Sequence, residues 1–335
     1  MKKTFHQLRP LAFIASFALF GYVLQRSGPE AVFHKIRLLG WGFGFLILLS
    51  GARNLLRAVA WSYCVPTPGL RPNPLDLFGP RVMGDAMYDL TPAGPLLGET
   101  ARIAVTSRLI PGDAGASSVV IENIVYLLAA VLFILSGLIL ALLKLTTPHG
   151  FRLISGELVI CCLVSIAVAW WIIGRRILVL GRTLDYLKRV GLRWTFLDRY
   201  QHYLRAVEQA TYDFFLTRKR IFLAVLGIEI ITNFTGVCEA YFILKVTAAH
   251  TSLFAAYLAE SASRAAQLAF CFIPLGLGVQ EGVAAATLKG LGYAAAEGVS
   301  LAIIRKIRTV FWTTIGLLLA AKYSIAPPAE EGSTT

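Results

Sequence analysis

The chain has 335 residues and a formal net charge of +13, yet only 15 % of it is charged against 56 % hydrophobic. Soluble domains carry about 25 % charged residues, so this composition excludes an ordinary water-soluble protein. The positive balance does not point to nucleic acid, because Lys and Arg flanking apolar spans are what the cytoplasmic loops of membrane proteins retain.

In chain order, Lys2, Lys3 and Arg9 precede an apolar run over 11–24 that goes straight to Gln25 and Arg26. With no small-residue cleavage site after it, this run is read as an uncleaved first transmembrane helix rather than a leader. A second helix is predicted over 39–60, with Arg53 and Arg57 at its cytoplasmic end. Pro66, Pro68, Pro72, Pro74 and Pro80 then argue against regular helix. Segment 82–110 holds Asp85, Asp89, Glu99, Arg102 and Arg108 and a Pro/Gly break at Pro92, Gly94 and Gly98. Helices are predicted over 118–143 and 158–174; the run 123–143 is 21 residues without a charge, enough to cross a bilayer.

Residues 175–220 carry eleven Lys/Arg against four Asp/Glu, interleaved with Tyr186, Trp194, Phe196, Tyr200, Tyr203, Tyr212, Phe214 and Phe215. This segment is assigned to the cytoplasm, either as amphipathic helices on anionic inner-leaflet lipid or, in its first half, as a solvated basic loop. A helix over 221–245 follows. Segment 253–291 has a second break at Pro274, Gly276 and Gly278, and a last helix spans 299–321. Residues 326–335 read as a disordered tail.

With 175–220 inside, residues before 82 and after 110 both fall on the cytoplasmic side. Segment 82–110 is then expected to enter and leave from the inside, and 253–291 from the outside. The alternative is that each is one kinked full span. In each segment a Pro stands seven residues before a Glu, Pro92 to Glu99 and Pro274 to Glu281. A further match follows, with Glu122 23 residues after Glu99 and Arg305 24 residues after Glu281. The expected fold is an all-α integral membrane protein: a polytopic helix bundle with an inverted-topology repeat (39–143 and 221–321) and two re-entrant broken-helix hairpins. Residues 1–325 form one membrane domain, with both termini cytoplasmic in the cell (inner) membrane and the site at the midplane where the broken helices meet.

Charges at bilayer depth cost roughly 2.5–3.5 kcal/mol each on insertion scales, so they must face one another or a polar cavity. Spacing pairs Glu99 with Arg102 (i,i+3) and Glu260 with Arg264 (i,i+4), and puts Arg305 and Arg308 on one helix face. Glu229, Asn233, Gly236 and Ala240 share a face that admits a close neighbour. Arginines at a polar cavity suit phosphate, and half-helix N-termini add N–H donors. The candidate headgroup residues are therefore Glu99, Arg102, Glu122, Glu281, Arg305 and Arg308, with Glu260–Arg264 as an ion pair. Internal salt bridges that merely hold the bundle are the competing reading.

Catalytic motifs are lacking: no GxSxG, HExxH or Walker A pattern occurs. Cys64, Cys161, Cys162, Cys238 and Cys271 show no CxxC, and the five His show no ligand spacing, so neither a metal nor a cofactor is expected. The cysteines read as small buried hydrophobes.

The motif from Pro92 through Gly98-Glu99 to Arg102, the Val120-Ile121-Glu122 that follows, the run from Pro274 to Gly282 and the helix carrying Arg305 together resemble the membrane region of lysylphosphatidylglycerol synthases. That region also occurs as stand-alone flippase-like proteins, including hopanoid-associated members. The resemblance covers about residues 5 to 322, and the Pro274–Gly282 segment is its most specific part. The family's usual Glu-Arg is Glu122-Asn123 here. Synthases of the family carry a large soluble C-terminal domain for aminoacyl transfer, which is not expected in the 335 residues here, so the resemblance implies the lipid-translocating part. The expected function is transport of an anionic or zwitterionic lipid. The alternative is a non-transporting scaffold partnering a separate lipid-modifying enzyme. Membrane lipids are the expected partners, and nucleic acid is not.

Overall fold

Proline and glycine set where the helices of the two central hairpins begin and end. The computed structural model describes residues 30, 34, 37–67, 69–91, 93–106, 109–110, 112–145, 149–176 and 195–325. The predicted first helix (11–24), Pro92, Arg108, the first part of the basic segment and the tail lie outside the described residues. Among the described residues the protein is all helical. Its elements are α1 (Gly42–Tyr63), α2 (Pro74–Leu90), α3 (Gly94–Thr106), α4 (Gly112–Lys144), α5 (His149–Gly174), α6 (Thr195–Thr217), α7 (Lys219–Thr247), α8 (Leu253–Ala269), a 3₁₀ turn (Pro274–Gly276), α9 (Val279–Gly290) and α10 (Ala295–Ile325). By length and apolarity α1, α4 and α7 can each cross a membrane, and α5 carries a shorter apolar stretch, Cys162–Gly174. At 1.5 Å per residue α4 is about 50 Å long, well beyond a bilayer's hydrocarbon core of about 30 Å.

The proline-rich stretch departs from expectation. Helix α2 starts at Pro74 and runs through Pro80. Asn73 sits in extended geometry and its side chain accepts the Leu75 amide at 3.1 Å, while Pro74 occupies the first turn, where no amide is needed. Pro80 lacks the amide that would reach back to Asp76, and the helix continues past it. Helix α8 begins alike, with Ser252 accepting the Phe254 amide at 3.2 Å.

Helix α2 ends at Leu90, and Thr91 before Pro92 is extended, the geometry a following proline imposes. Helix α3 then folds back along α2. Gly84 and Gly98 face each other at that contact: a Cβ on Gly98 would strike the Gly84 carbonyl oxygen, and one on Gly84 would lie 3.0 Å from the Gly98 oxygen. Gly98 is thus a close-packing residue inside α3 rather than part of the break; Gly94 opens the helix. Gly98→Val is expected to destabilise the protein by at least ~1–3 kcal/mol, because backbone cannot rotate away from the new side chain. A thermal unfolding midpoint unchanged in detergent would contradict this packing.

The second break holds three residues at positive φ, Leu275 (54°), Gly276 (56°) and Gly278 (79°). Glycine takes such angles freely and Leu275 does not, so the surrounding structure must impose this turn. Helix α9 then starts at Val279.

Packing is reciprocal between the two halves. Each hairpin packs on the helix that precedes it, α2 on α1 and α8 on α7, and its second helix packs on the helix that follows, α3 on α4 and α9 on α10. Across the halves, α4 packs on α8 and α10 packs on α2. Helix α6 turns Val207, Thr211, Tyr212, Phe214 and Phe215 inward against the bundle, with Phe215 meeting Phe222 of α7 at 5.4 Å. These aromatics, expected on lipid, pack into the core of the bundle instead. Cys64 is buried as expected, whereas Cys238 is exposed.

Candidate functional site: a charged cavity between the halves

A cavity of about 520 Å³ opens between the two hairpins, walled by α1, α2, α4, α7, α8 and α10, with Glu99 of α3 and the turn at Leu275 and Gly276. Its charged groups form two clusters.

The first centres on Glu122 of α4, which is 0 % exposed. Arg81 of α2 donates to its Oε1 at 2.6 Å, Arg57 of α1 reaches the same oxygen at 3.3 Å, and Arg102 of α3 donates to Oε2 at 3.0 Å. One carboxylate therefore gathers arginines from three helices. Each arginine has a second acid: Arg102 has Glu99 at 2.8 Å, Arg81 has Asp85 at 3.5 Å, and Arg57 has Glu229 of α7 at 3.7 Å. Aromatic faces complete the cluster, Arg102 over Trp61 at 4.2 Å and Arg57 over Tyr126 at 4.1 Å. Trp61 is anchored in turn by donating its Nε1–H to Ser118 Oγ at 3.0 Å.

The second cluster joins α1, α7, α8 and α10. Arg308 donates to Glu239 Oε2 at 2.7 Å, and Arg53 lies 3.9 Å from that oxygen. Glu260 takes Arg264 at 2.9 Å and Arg305 at 2.6 Å, so the expected Glu260–Arg264 pair within α8 is present and shared with a second helix, α10. Arg305 also donates to the Gly236 carbonyl at 2.8 Å. A Cβ on Gly236 would strike the Glu260 carboxylate, so this glycine lets the acid lie against α7. Asp89 accepts from Thr313 at 3.4 Å.

Of the six headgroup candidates, the structure places Glu99, Arg305 and Arg308 on the cavity wall. Arg102 and Glu122 lie behind it, 1 % and 0 % exposed, in the first cluster. Glu281 is buried as well: its Oε2 accepts the Gly278 amide at 2.8 Å and its Oε1 pairs with Lys306. It thereby closes the first turn of α9 and ties the second break to α10. Glu281→Gln is expected to cost ~1–3 kcal/mol by removing the charge that pairs with Lys306. Adding Lys306→Met should recover part of that loss in unfolding measurements, and a strictly additive pair would refute the coupling. Pro274, Gly276 and Gly278 lie in the turn between α8 and α9.

Sequence reasoning overlooked Arg81, and left Arg53 and Arg57 at a helix end. The signal for the latter two was there: Arg53, Asn54 and Arg57 fall within one turn of an otherwise apolar helix, a spacing that puts both guanidinium groups on one face.

Apolar helices of membrane-crossing length around a cavity this rich in paired charges define an integral membrane protein with a polar interior site. The chain belongs to the family described as the lysylphosphatidylglycerol synthase TM region, which matches residues 10–316. Neither the curated proteins nor the solved structures contain a significant match.

Proposed function

We propose that this chain moves a lipid across the cytoplasmic membrane, its headgroup passing through the charged cavity while the tail stays in the bilayer. The observation that carries this is the cavity: a space within the 300–1,000 Å³ range of ligand sites, among helices long and apolar enough to cross a membrane, offering guanidinium and carboxylate groups together. A headgroup phosphate suits the forks of Arg305 and Arg308. The reciprocal packing of the halves supports an inverted repeat whose two hairpins are re-entrant and gate opposite faces by rocking. In this reading both termini are cytoplasmic, and the protein does no covalent chemistry.

The purified chain, reconstituted in phospholipid vesicles with a headgroup-labelled lipid, is expected to carry label between leaflets faster than protein-free vesicles do. Equal rates would overturn the transport reading in favour of a scaffold for a separate lipid-modifying enzyme.

A further inference from the structure

One buried acid has no part in headgroup binding. Glu229 of α7 is 0 % exposed, and its Oε1 has no hydrogen-bond partner. One turn on, Asn233 is 1 % exposed; its amide donates to the Glu229 carbonyl at 3.0 Å, which leaves its own Oδ1 without a donor. Two orphaned acceptors thus stand at i and i+4 on one helix face, deep in the bundle, where each unsatisfied polar atom is costly. A single proton on Glu229 would place a donor on this face, which otherwise offers only acceptors.

Charge balance selects the same residue. Around Glu122 there are three arginines, Arg57, Arg81 and Arg102, and four carboxylates, Asp85, Glu99, Glu122 and Glu229. Asp85 and Glu99 have side chains 40 % and 31 % exposed, so the cavity can solvate them. Glu122 accepts from all three arginines. Glu229 has only the longest contact, 3.7 Å to Arg57. The charged groups facing it are Arg57 of α1, Arg81 of α2 and Glu122 of α4, with the Cys64 thiol nearby.

A route to the cavity exists. The Thr232 hydroxyl stands 2.7 Å from the Glu229 carbonyl oxygen and 3.1 Å from its Oε2, within reach of both, and Thr232 lines the cavity. A hydroxyl both accepts and donates, so it can pass a proton between cavity and carboxylate.

We propose that Glu229 is a proton-binding site, loaded from the cavity through Thr232, whose occupancy decides whether Arg57 is held by two carboxylates or by Glu122 alone. Released from Glu229, Arg57 has a freer guanidinium on the cavity wall. Loading the proton also adds one positive charge to the cavity's surroundings, the complement of one phosphodiester. Transport then couples a proton to an anionic headgroup without net charge movement. This consequence rests on the lipid-translocation reading; the proton site itself does not.

The test is infrared difference spectroscopy of the full chain in lipid nanodiscs between acidic and alkaline buffer. The expected result is the carbonyl stretch of a protonated carboxyl, lost as pH rises. It should shift on ¹³C-glutamate labelling, which separates it from Asp85 and Asp89, and vanish in Glu229→Gln. Should that variant not fold, Asn233→Leu serves instead: removing the acceptor is expected to move the band. Thr232→Val is expected to slow its hydrogen–deuterium exchange several-fold. No glutamate band, or a band unchanged in these variants, overturns the site, and unslowed exchange overturns the route. In vesicles, an imposed pH gradient should change the translocation rate of the wild type and not that of Glu229→Gln. Translocation indifferent to the gradient overturns the coupling. Vesicles without any translocation overturn the transport reading and leave the infrared result standing.

Discussion

Glu122→Ala is expected to lower stability by ~3–5 kcal/mol, the cost of stranding buried charges without their partner. Three guanidinium groups from α1, α2 and α3 meet on this carboxylate. Arg81 and Arg102 are each 1 % exposed and cannot turn to water. Glu122→Gln keeps the shape and loses the charge, so it should be nearly as damaging, whereas Ile121→Val one residue away costs only ~0.5–1.5 kcal/mol. Thermal unfolding in detergent, with yield of monodisperse protein as a second readout, measures the difference. A Glu122→Ala protein of normal stability that fails only in transport would return Glu122 to the headgroup residues, where sequence reasoning had put it. In the Glu122→Ala protein the α1–α2–α3–α4 junction is expected to open first, because the carboxylate that the three arginines share is gone.

Much of this architecture was legible in the sequence because membranes punish exceptions. A proline or a charge inside an apolar run has few excuses, so the all-helical class, the interruption of segments 82–110 and 253–291 and the Glu260–Arg264 pair could be read from spacing. Local chemistry that overrides a breaker was less legible. Pro74 and Pro80 looked like punctuation, but Asn73 caps the helix and the first turn has no use for the proline amide. Roles that depend on distant residues could not be read. Glu281 looks like a cavity acid until Gly278 and Lys306 are found on its two oxygens. Glu122 has partners 20, 41 and 65 residues away, and only the folded bundle assembles them. Spacing thus finds where charge is concentrated, and packing decides which charges are already satisfied.

That distinction makes Arg305 the sharper functional probe. It lines the cavity, and its carboxylate Glu260 keeps Arg264 at 2.9 Å when the guanidinium is removed. Arg308 is less separable, because without it Glu239 retains only Arg53 and Arg305, each at 3.9 Å. Arg305→Ala is therefore expected to leave unfolding within about 1 kcal/mol of wild type, allowing for the lost bond to the Gly236 carbonyl. Translocation of a headgroup-labelled phospholipid should fall roughly ten- to hundred-fold, the equivalent of one charge-assisted hydrogen bond of ~1.5–3 kcal/mol. Arg305→Lys keeps the charge and loses the fork, so it should recover only part of the rate. Full activity in Arg305→Ala would mean that the headgroup does not use this wall of the cavity. Full recovery by lysine would mean that Arg305 acts as a point charge, and that recognition of the phosphate oxygens falls to Arg308 and Arg53 across the cavity.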